Sequence, residues 1–374
     1  MRVCLVRSRP IDIAVWKVAQ ALSQRGHEVR LLIWDRNDQF DSQNYEFQVD
    51  KFCLSAPYDR FRVLFYEPFW WIYIYLYLSK SDYEVVHAFD LDTLLPAILA
   101  STLNKKILFY SILDFSANNL NNGHFRPIRC ILRRIIGSIE KWGIGFADTL
   151  FLVDKSRLDE IGGAKIKKVE YIYNSPKCTL DSFDRSKFES NEKFTIFYGG
   201  LIDLPRGIDH MIEAVNDLDS VQLILAGPIA IKNFYSKLDL RTDKIRYIGW
   251  LESYDDIIRH TIEADLIFRF SDPTNPKAKF ESPNKLFEAM MCGRPIIVSD
   301  NSSMANIIRE EQCGIVIPYG DVQAIKCAIT MLKDNPQLRK SIGNNGRRAY
   351  QEKYSWNIME QRLTDAYNRL AIKN

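Results

Sequence analysis

FTIFYGGLIDLPRGIDHMIEA, residues 194–214, decides how the rest of the chain reads. Phe194–Tyr198 is a short β-rich apolar run, Gly199 and Gly200 break it, and Ile208–Val215 repeats apolar residues at helical spacing. Strand, glycine turn and amphipathic helix in that order predict one step of a doubly wound α/β sheet. The turn also points to chemistry. Two glycines let a ligand approach the backbone closely. A helix amino terminus offers unpaired N–H donors and a partial positive charge, and Arg206 adds a full one. Together these describe a phosphate site. A plain tight turn with a solvated arginine is the competing reading. The segment matches neither a P-loop nor GxGxxG, which argues against an ATPase and a dinucleotide dehydrogenase.

The same alternation extends in both directions. After the turn come Val221–Ala226, Ile245–Ile248, Tyr254–Glu263, Leu266–Phe270, Pro283–Cys292, Ile296–Val298 and Ile315–Ile317. Before it, strands are expected at Val3–Val6, Glu28–Trp34, Val85–His87, Ile107–Ile112, Thr149–Val153 and Val169–Tyr173. Ala14–Arg25, Leu91–Leu103 and Arg126–Gly145 read as helices between them. A polar, charged stretch from Pro176 to Lys193 interrupts the pattern. The prediction is two doubly wound domains, residues 1–178 and 190–354, facing a cleft. Ligands then bind beyond the carboxyl ends of the strands.

Composition bounds the function. The 374 residues are 47% hydrophobic and 26% charged, ordinary globular usage for two to three domains. A net charge of +3 makes nucleic acid an unexpected partner. The excess lies in the first half, where residues 1–180 hold 24 basic and 20 acidic side chains. Seven cysteines, scattered singly and without a CxxC, predict a reducing, cytoplasmic compartment. The opening MRVCLVRSRPIDI lacks the long apolar core of a signal peptide. FWWIYIYLYL, residues 69–78, is too short to span a bilayer. Five scattered histidines without HExxH give no metal site.

A second motif lies at Glu281-Ser282-Pro283-Asn284-Lys285, which continues as Leu286-Phe287-Glu288. Ser282 before Pro283 suits an N-cap with proline at the first helical position. Lys285 and Glu288 are three apart and share a helix face, while Leu286 and Met290 face elsewhere and pack. A carboxylate can accept from both hydroxyls of a ribose, and a lysine one turn earlier can meet a phosphate. An exposed intrahelical ion pair worth a few tenths of a kcal/mol is the alternative.

At this point the chain resembles a known family. GGLIDLPRGIDHMIEA, then ADLIFRF, SPNKLFEAMMCGRPIIVSDNS and a late YSWNIMEQRLTDAYNRL are similar to the family-4 retaining glycosyltransferases of the GT-B fold. RGHEV, VVHAFDLDTLLPAILA, KKILFYSILDF, ADTLFLVDKSR and YIYNSPK agree in order. The resemblance covers nearly the whole chain. It implies transfer of a sugar from a nucleoside diphosphate sugar, with retention and without a metal or other cofactor. Residues 190–354 would hold the donor and residues 1–178 a saccharide acceptor. Helix 355–374 would pack back on the first domain. Gly199, Gly200, Arg206, Ser282, Asn284, Lys285 and Glu288 would bind the donor, Arg206 on the diphosphate and Glu288 on the ribose. Arg206, Lys285, Glu281 and Asp114 form the expected catalytic set.

Two positions depart from the family pattern. Many members carry arginine where Gly200 stands, and Lys285 is the expected replacement. Many also carry a glutamate where Phe280 stands; the nearest acid, Glu281, is offset by one residue. Asp114 falls beside the place of a polar pair whose histidine reads Leu113, so it orients the acceptor or serves as a cap or surface group. Asp12 touches the acceptor or caps the first helix. His87 faces the acceptor or is a satisfied core histidine. Asp90-Leu91-Asp92 spells the DxD of metal-dependent enzymes of another fold, and helix capping with dipole pairing explains it.

Residues 61–83 hold ten aromatic side chains, Trp70 and Trp71 among them. Arg126, Arg129, Arg133, Arg134 and Lys141 accompany apolar Ile131, Leu132, Ile135 and Ile139. An aromatic helix beside a basic amphipathic one predicts peripheral attachment to an anionic membrane at its inner face. Two helices packing on the first sheet is the plain alternative. Attachment would make the acceptor a lipid-linked saccharide in cell-surface glycan synthesis. Two alternatives remain: a nucleotide-sugar epimerase of the same fold, and a catalytically silent nucleotide-sugar-binding membrane scaffold.

Overall fold

The computed structural model describes residues 1–10, 12–38, 40, 46–57, 60–119, 126–180, 192–231, 244–275, 278–280, 282 and 284–371, with backbone only at 60, 61, 119, 126–129, 370 and 371. The chain divides into two compact units. Met1–Tyr173 with Met359–Asn374 is the first, and Asn174–Ile358 the second.

In the first unit, β1 (Arg2–Arg7), α1 (Ile13–Gln24), β2 (Glu28–Trp34) and β3 (Gln48–Phe52) come first. They are followed by α2 (Arg60–Val63), α3 (Glu67–Lys80), β4 (Val85–Phe89), α4 (Leu91–Leu103), β5 (Ile107–Ile112) and α5 (Arg126–Ile144). β6 (Thr149–Leu152), α6 (Arg157–Glu160) and β7 (Val169–Tyr171) close the run. Among the described residues its seven strands are parallel, ordered β3-β2-β1-β4-β5-β6-β7. β1 sits between β2 and β4, with Leu5 level with both Leu31 and His87. Strands covered on both faces read as unbroken apolar runs, which is why β1, β4 and β5 are plain in the sequence.

β3, QVDKF, was not expected. It pairs with β2 at the sheet edge and none of its residues is buried, so it lacks the apolar signal of a covered strand.

Alternate residues serve two layers. Cys4, Val6, Trp34, Val86 and Tyr110 face one core with Trp70, Ile74 and Leu78 of α3 and Leu94 and Ala97 of α4. Trp70 stacks on Trp34 with centroids 5.9 Å apart. Truncating a side chain like it to alanine costs about 3–5 kcal/mol. On the other face, His87 and Phe109 meet Tyr367 of the closing helix.

The second unit runs β8 (Phe194–Gly199), α7 (Ile208–Asn216), β9 (Val221–Ala226), β10 (Ile245–Tyr247), α8 (Tyr254–Glu263), β11 (Leu266–Arg269) and α9 (Asn284–Cys292). It continues with β12 (Ile296–Ser299), α10 (Ser303–Glu311), β13 (Gly314–Ile317), α11 (Val322–Asp334) and α12 (Pro336–Ala349). Among the described residues its six strands are parallel in the order β10-β9-β8-β11-β12-β13. α13 (Trp356–Ala371) starts in this unit and continues into the first. Most of the expected 176–193 linker lies outside the described residues, but Pro176 belongs to the second unit, where its carbonyl accepts from Tyr350 Oη at 2.8 Å.

β8 is the central strand of this sheet, so the glycine turn opens from the middle of its carboxyl edge. Gly207 begins α7 at φ 63°, and a Cβ there would meet the Phe270 ring at 2.8 Å. Only glycine fits that combination.

Candidate active site

The residues that converge in the second unit surround Tyr198, whose side chain is fully buried. Its hydroxyl donates to Leu201 O at 2.9 Å and receives Arg206 Nη1 at 3.5 Å. Lys285 comes from the first turn of α9 and lays its ammonium 4.8 Å from the centre of the same ring. Two cations from distant segments thus meet one tyrosine at the carboxyl end of β8, Lys285 on its ring and Arg206 on its hydroxyl. A cation over a tyrosine face is held by the ring quadrupole. Burial lowers the Lys285 pKa from its usual value; Tyr198 and Glu288 oppose the shift, while Arg269 and Arg206 add to it.

Gly200 makes room for this lysine. Its φ is 149°, and a Cβ on it would lie 2.5 Å from Lys285 Nζ and 3.4 Å from Cε. The Gly200 amide is anchored to Ala226 O at 2.8 Å. A side chain at 200 and the observed Lys285 rotamer exclude each other.

Glu288 is buried one turn further along α9, and its Oε1 accepts from Tyr254 Oη at 3.0 Å. Tyr254 opens α8 behind its cap Ser253, whose Oγ accepts from Asp255 N at 3.1 Å. Burial and the Glu288 carboxylate together push the Tyr254 hydroxyl far up, so it stays a donor. Lys285 lies on Tyr198 and Glu288 receives Tyr254, so the exposed intrahelical pair is not how the two are used. Leu286 and Met290 pack in the core as expected. Asn284 is half-buried at the start of α9, and among the described residues its Oδ1 has no partner. Gly199 and Ser282 are half-buried, whereas Glu281 and Pro283 lie outside the described residues.

Arg269 was missed. It ends β11, is buried, and donates from Nη1 to Phe270 O. Its charge is close enough to help depress Lys285. A charged residue terminating the apolar run Leu266–Phe268 was the available signal.

In the first unit Asp12 and Asp90 meet at Arg7. The Arg7 guanidinium is buried, reaches Asp12 Oδ2 from Nε at 3.0 Å, and pairs with Asp90. Asp12 also caps α1 by accepting from Ala14 N at 3.1 Å. Asp90 adopts φ 63° and does not cap α4. Its Oδ1 accepts instead from Leu113 N at 2.9 Å and Asp114 N at 3.1 Å. This corrects the capping explanation of the DxD: Asp90 holds the loop after β5, and Asp92 takes the Ser8 hydroxyl. The loop presents Asp114, an exposed carboxylate 3.6 Å from Arg157 Nη2.

His87 is corrected as well. It has no exposure, with Nδ1 2.8 Å from Tyr367 Oη and Nε2 2.7 Å from Ser111 Oγ. Burial lowers its pKa to about 3. Both ring nitrogens are occupied, so it is a core histidine rather than an acceptor-facing one.

Comparison with known proteins agrees with this layout. The family model for glycosyl transferases group 1 matches residues 181–349. The capsular polysaccharide biosynthesis glycosyltransferase CapM of Staphylococcus aureus is 25% identical over 187 residues, 48% of this chain and 47% of that protein. The chain spans about half the length of this and similar curated relatives. Sucrose-phosphate synthase from Thermosynechococcus elongatus superposes with a TM-score of 0.78 at 16% identity, over 100% of both chains. HepE from Anabaena, solved in complex with UDP, superposes with a TM-score of 0.73 at 15% identity, over 99% of this chain and 100% of that one. At such identities the likeness is one of fold, two Rossmann-like units of the GT-B class. Over residues 181–349 the chain is similar to the glycosyl transferases group 1 family, and its fold is that of the GT-B class.

Proposed function

We propose that the protein moves a sugar from a nucleoside diphosphate sugar to a saccharide acceptor, with retention at the anomeric carbon. The donor lies on the second unit and the acceptor on the first. The observation that carries this reading is the convergence of Arg206 and Lys285 on Tyr198, one helical turn from Glu288. Departure of the diphosphate is the demanding step. Preorganised cations and the α7 amino terminus stabilise the charge growing on it. Each such contact contributes on the order of 3 kcal/mol. These groups supply the positive charge that the step needs without a metal or other cofactor.

Glu288, held by Tyr254, is placed to accept from the ribose hydroxyls. Asn284 Oδ1 offers a further acceptor at the same helix start. In the exchange, an acceptor hydroxyl oxygen bonds to the anomeric carbon as the bond from that carbon to the phosphate oxygen breaks. The hydroxyl proton passes to the leaving diphosphate. Asp114 and Asp12, both tied to the Arg7–Asp90 pair, line the acceptor side. HepE was solved with UDP and with UDP-glucose, and CapM is named for capsular polysaccharide biosynthesis. Both support a sugar nucleotide and a glycan product here.

Mass spectrometry after incubation with a panel of sugar nucleotides and saccharide acceptors tests the proposal. Release of nucleoside diphosphate with a glycosylated acceptor is expected. An isomerised donor, or binding without turnover, overturns it.

A further inference from the structure

The outward faces of the first unit's helices are apolar where a solvated helix would be polar. α3 buries Trp70, Ile74 and Leu78, and on its other side exposes Phe69, Ile72 and Leu76. Phe65, in the turn before it, is 79% exposed. This reverses part of the sequence expectation: Trp70 is core and Trp71 half-buried, and of the aliphatic residues that follow only Ile72 and Leu76 face out. α5 behaves alike. Ile131, Ile135, Ile139 and Trp142 recur at steps of three or four and are exposed, Trp142 at 59%. A helix that packs on a sheet normally turns a polar face outward. α4 lies against both α3 and α5.

Charge identifies what covers these faces. Among the described side chains, α3, α4 and α5 carry the acids Glu67, Asp92 and Glu140, and none is exposed. Glu140 is fully buried, accepting from Tyr110 Oη at 2.7 Å and Ser116 N at 2.9 Å. Within these helices the exposed charges among the described side chains are Lys80 and Arg134, both positive; just past α3, Asp82 and Glu84 are exposed too, Asp82 paired with Arg2. Arg133 and Lys141 are drawn inward, to Asn118 Oδ1 and Gly162 O, each at 2.8 Å. A second copy of the same face would oppose cation to cation. An anionic lipid surface complements both the apolar stripes and the charge, and tryptophan suits the headgroup boundary. No helix among the described residues is long and apolar enough to cross a membrane.

We infer that the first unit docks on an anionic bilayer through the outer faces of α3 and α5. Combined with the proposed sugar transfer, on which this clause alone rests, the acceptor class is a saccharide on a membrane-anchored lipid.

The test is flotation of the full chain with phosphatidylcholine–phosphatidylglycerol vesicles and with phosphatidylcholine vesicles alone. The chain should float with the anionic vesicles only, and less at high salt. Ile72→Glu with Ile139→Glu should lower the floated fraction about tenfold or more, with unchanged thermal unfolding. Trp142→Phe should remove the blue shift of fluorescence that vesicles induce. Absence of flotation overturns the inference, as does equal flotation by the double variant. A dimer that the double variant converts to monomer, without vesicle binding by either, assigns the face to a second copy instead. Vesicle binding is read without donor or acceptor, so its failure leaves the sugar-transfer reading standing.

Discussion

Lys285 Nζ stands 2.5 Å from the point where a Cβ on Gly200 would lie. The glycine that appears in the sequence as a missing cation is therefore the vacancy through which another cation reaches the turn. Gly200→Ala should displace Lys285 and also strain the backbone at φ 149°. Its loss of nucleoside diphosphate affinity should match that of Lys285→Met, about tenfold to a hundredfold. The double variant should be no worse than either single one, because the two changes remove the same contact. Calorimetry on the three variants checks this; additive losses would show that the residues act separately.

Tyr254→Phe removes the hydroxyl that holds Glu288 at 3.0 Å. A single hydrogen bond of this kind is worth about 1 kcal/mol net. Donor affinity should fall roughly fivefold, with affinity for inorganic pyrophosphate unchanged. An equal fall for both ligands would place the tyrosine's effect outside the ribose contact.

Glu140 makes the stability of the first unit depend on pH. Burial raises its pKa from 4.5 to about 8. The folded state then holds the proton more tightly than the unfolded one. Its contribution is complete below pH 4.5 and is lost as pH rises through about 8. Glu140→Gln keeps the shape and should flatten that fall, as denaturant titrations across the window will read. A slope unchanged by the substitution would contradict the assignment.

His87 acts with the opposite sign. Its pKa is lowered from 6.5 to about 3, so its contribution is complete above 6.5 and is lost as pH falls towards 3. Tyr367→Phe removes a hydrogen-bond partner and should destabilise the unit by about 1–3 kcal/mol at neutral pH. Sugar transfer at saturating acceptor should be unaltered. A selective rise in acceptor KM would return His87 to the acceptor side.

How much of this was legible follows from which contacts are local. Parallel strands covered on both faces announce themselves as apolar runs, so β1, β4, β8 and β9 could be read. β3 could not, because an edge strand with half-buried residues has no such run. Lys285 and Glu288 could be placed on one face of α9 from their spacing alone. Their partners Tyr198 and Tyr254 could not, since strand and helix meet only through the folded sheet. Arg269 was hidden for the same reason. α3 shows a different limit. In FWWIYIYLYL every position is apolar, so periodicity cannot say which stripe is buried. Only packing against Trp34 and the sheet separates Trp70, Ile74 and Leu78 from Phe69, Ile72 and Leu76.

Diffraction from crystals soaked with a nucleoside diphosphate shows where the pyrophosphate binds. A pyrophosphate is expected at the carboxyl end of β8, its oxygens within about 3 Å of the Arg206 guanidinium and Lys285 Nζ, with the ribose against Glu288. A pyrophosphate bound elsewhere, or a Lys285 ammonium still seated on Tyr198 with no phosphate beside it, would contradict this placement.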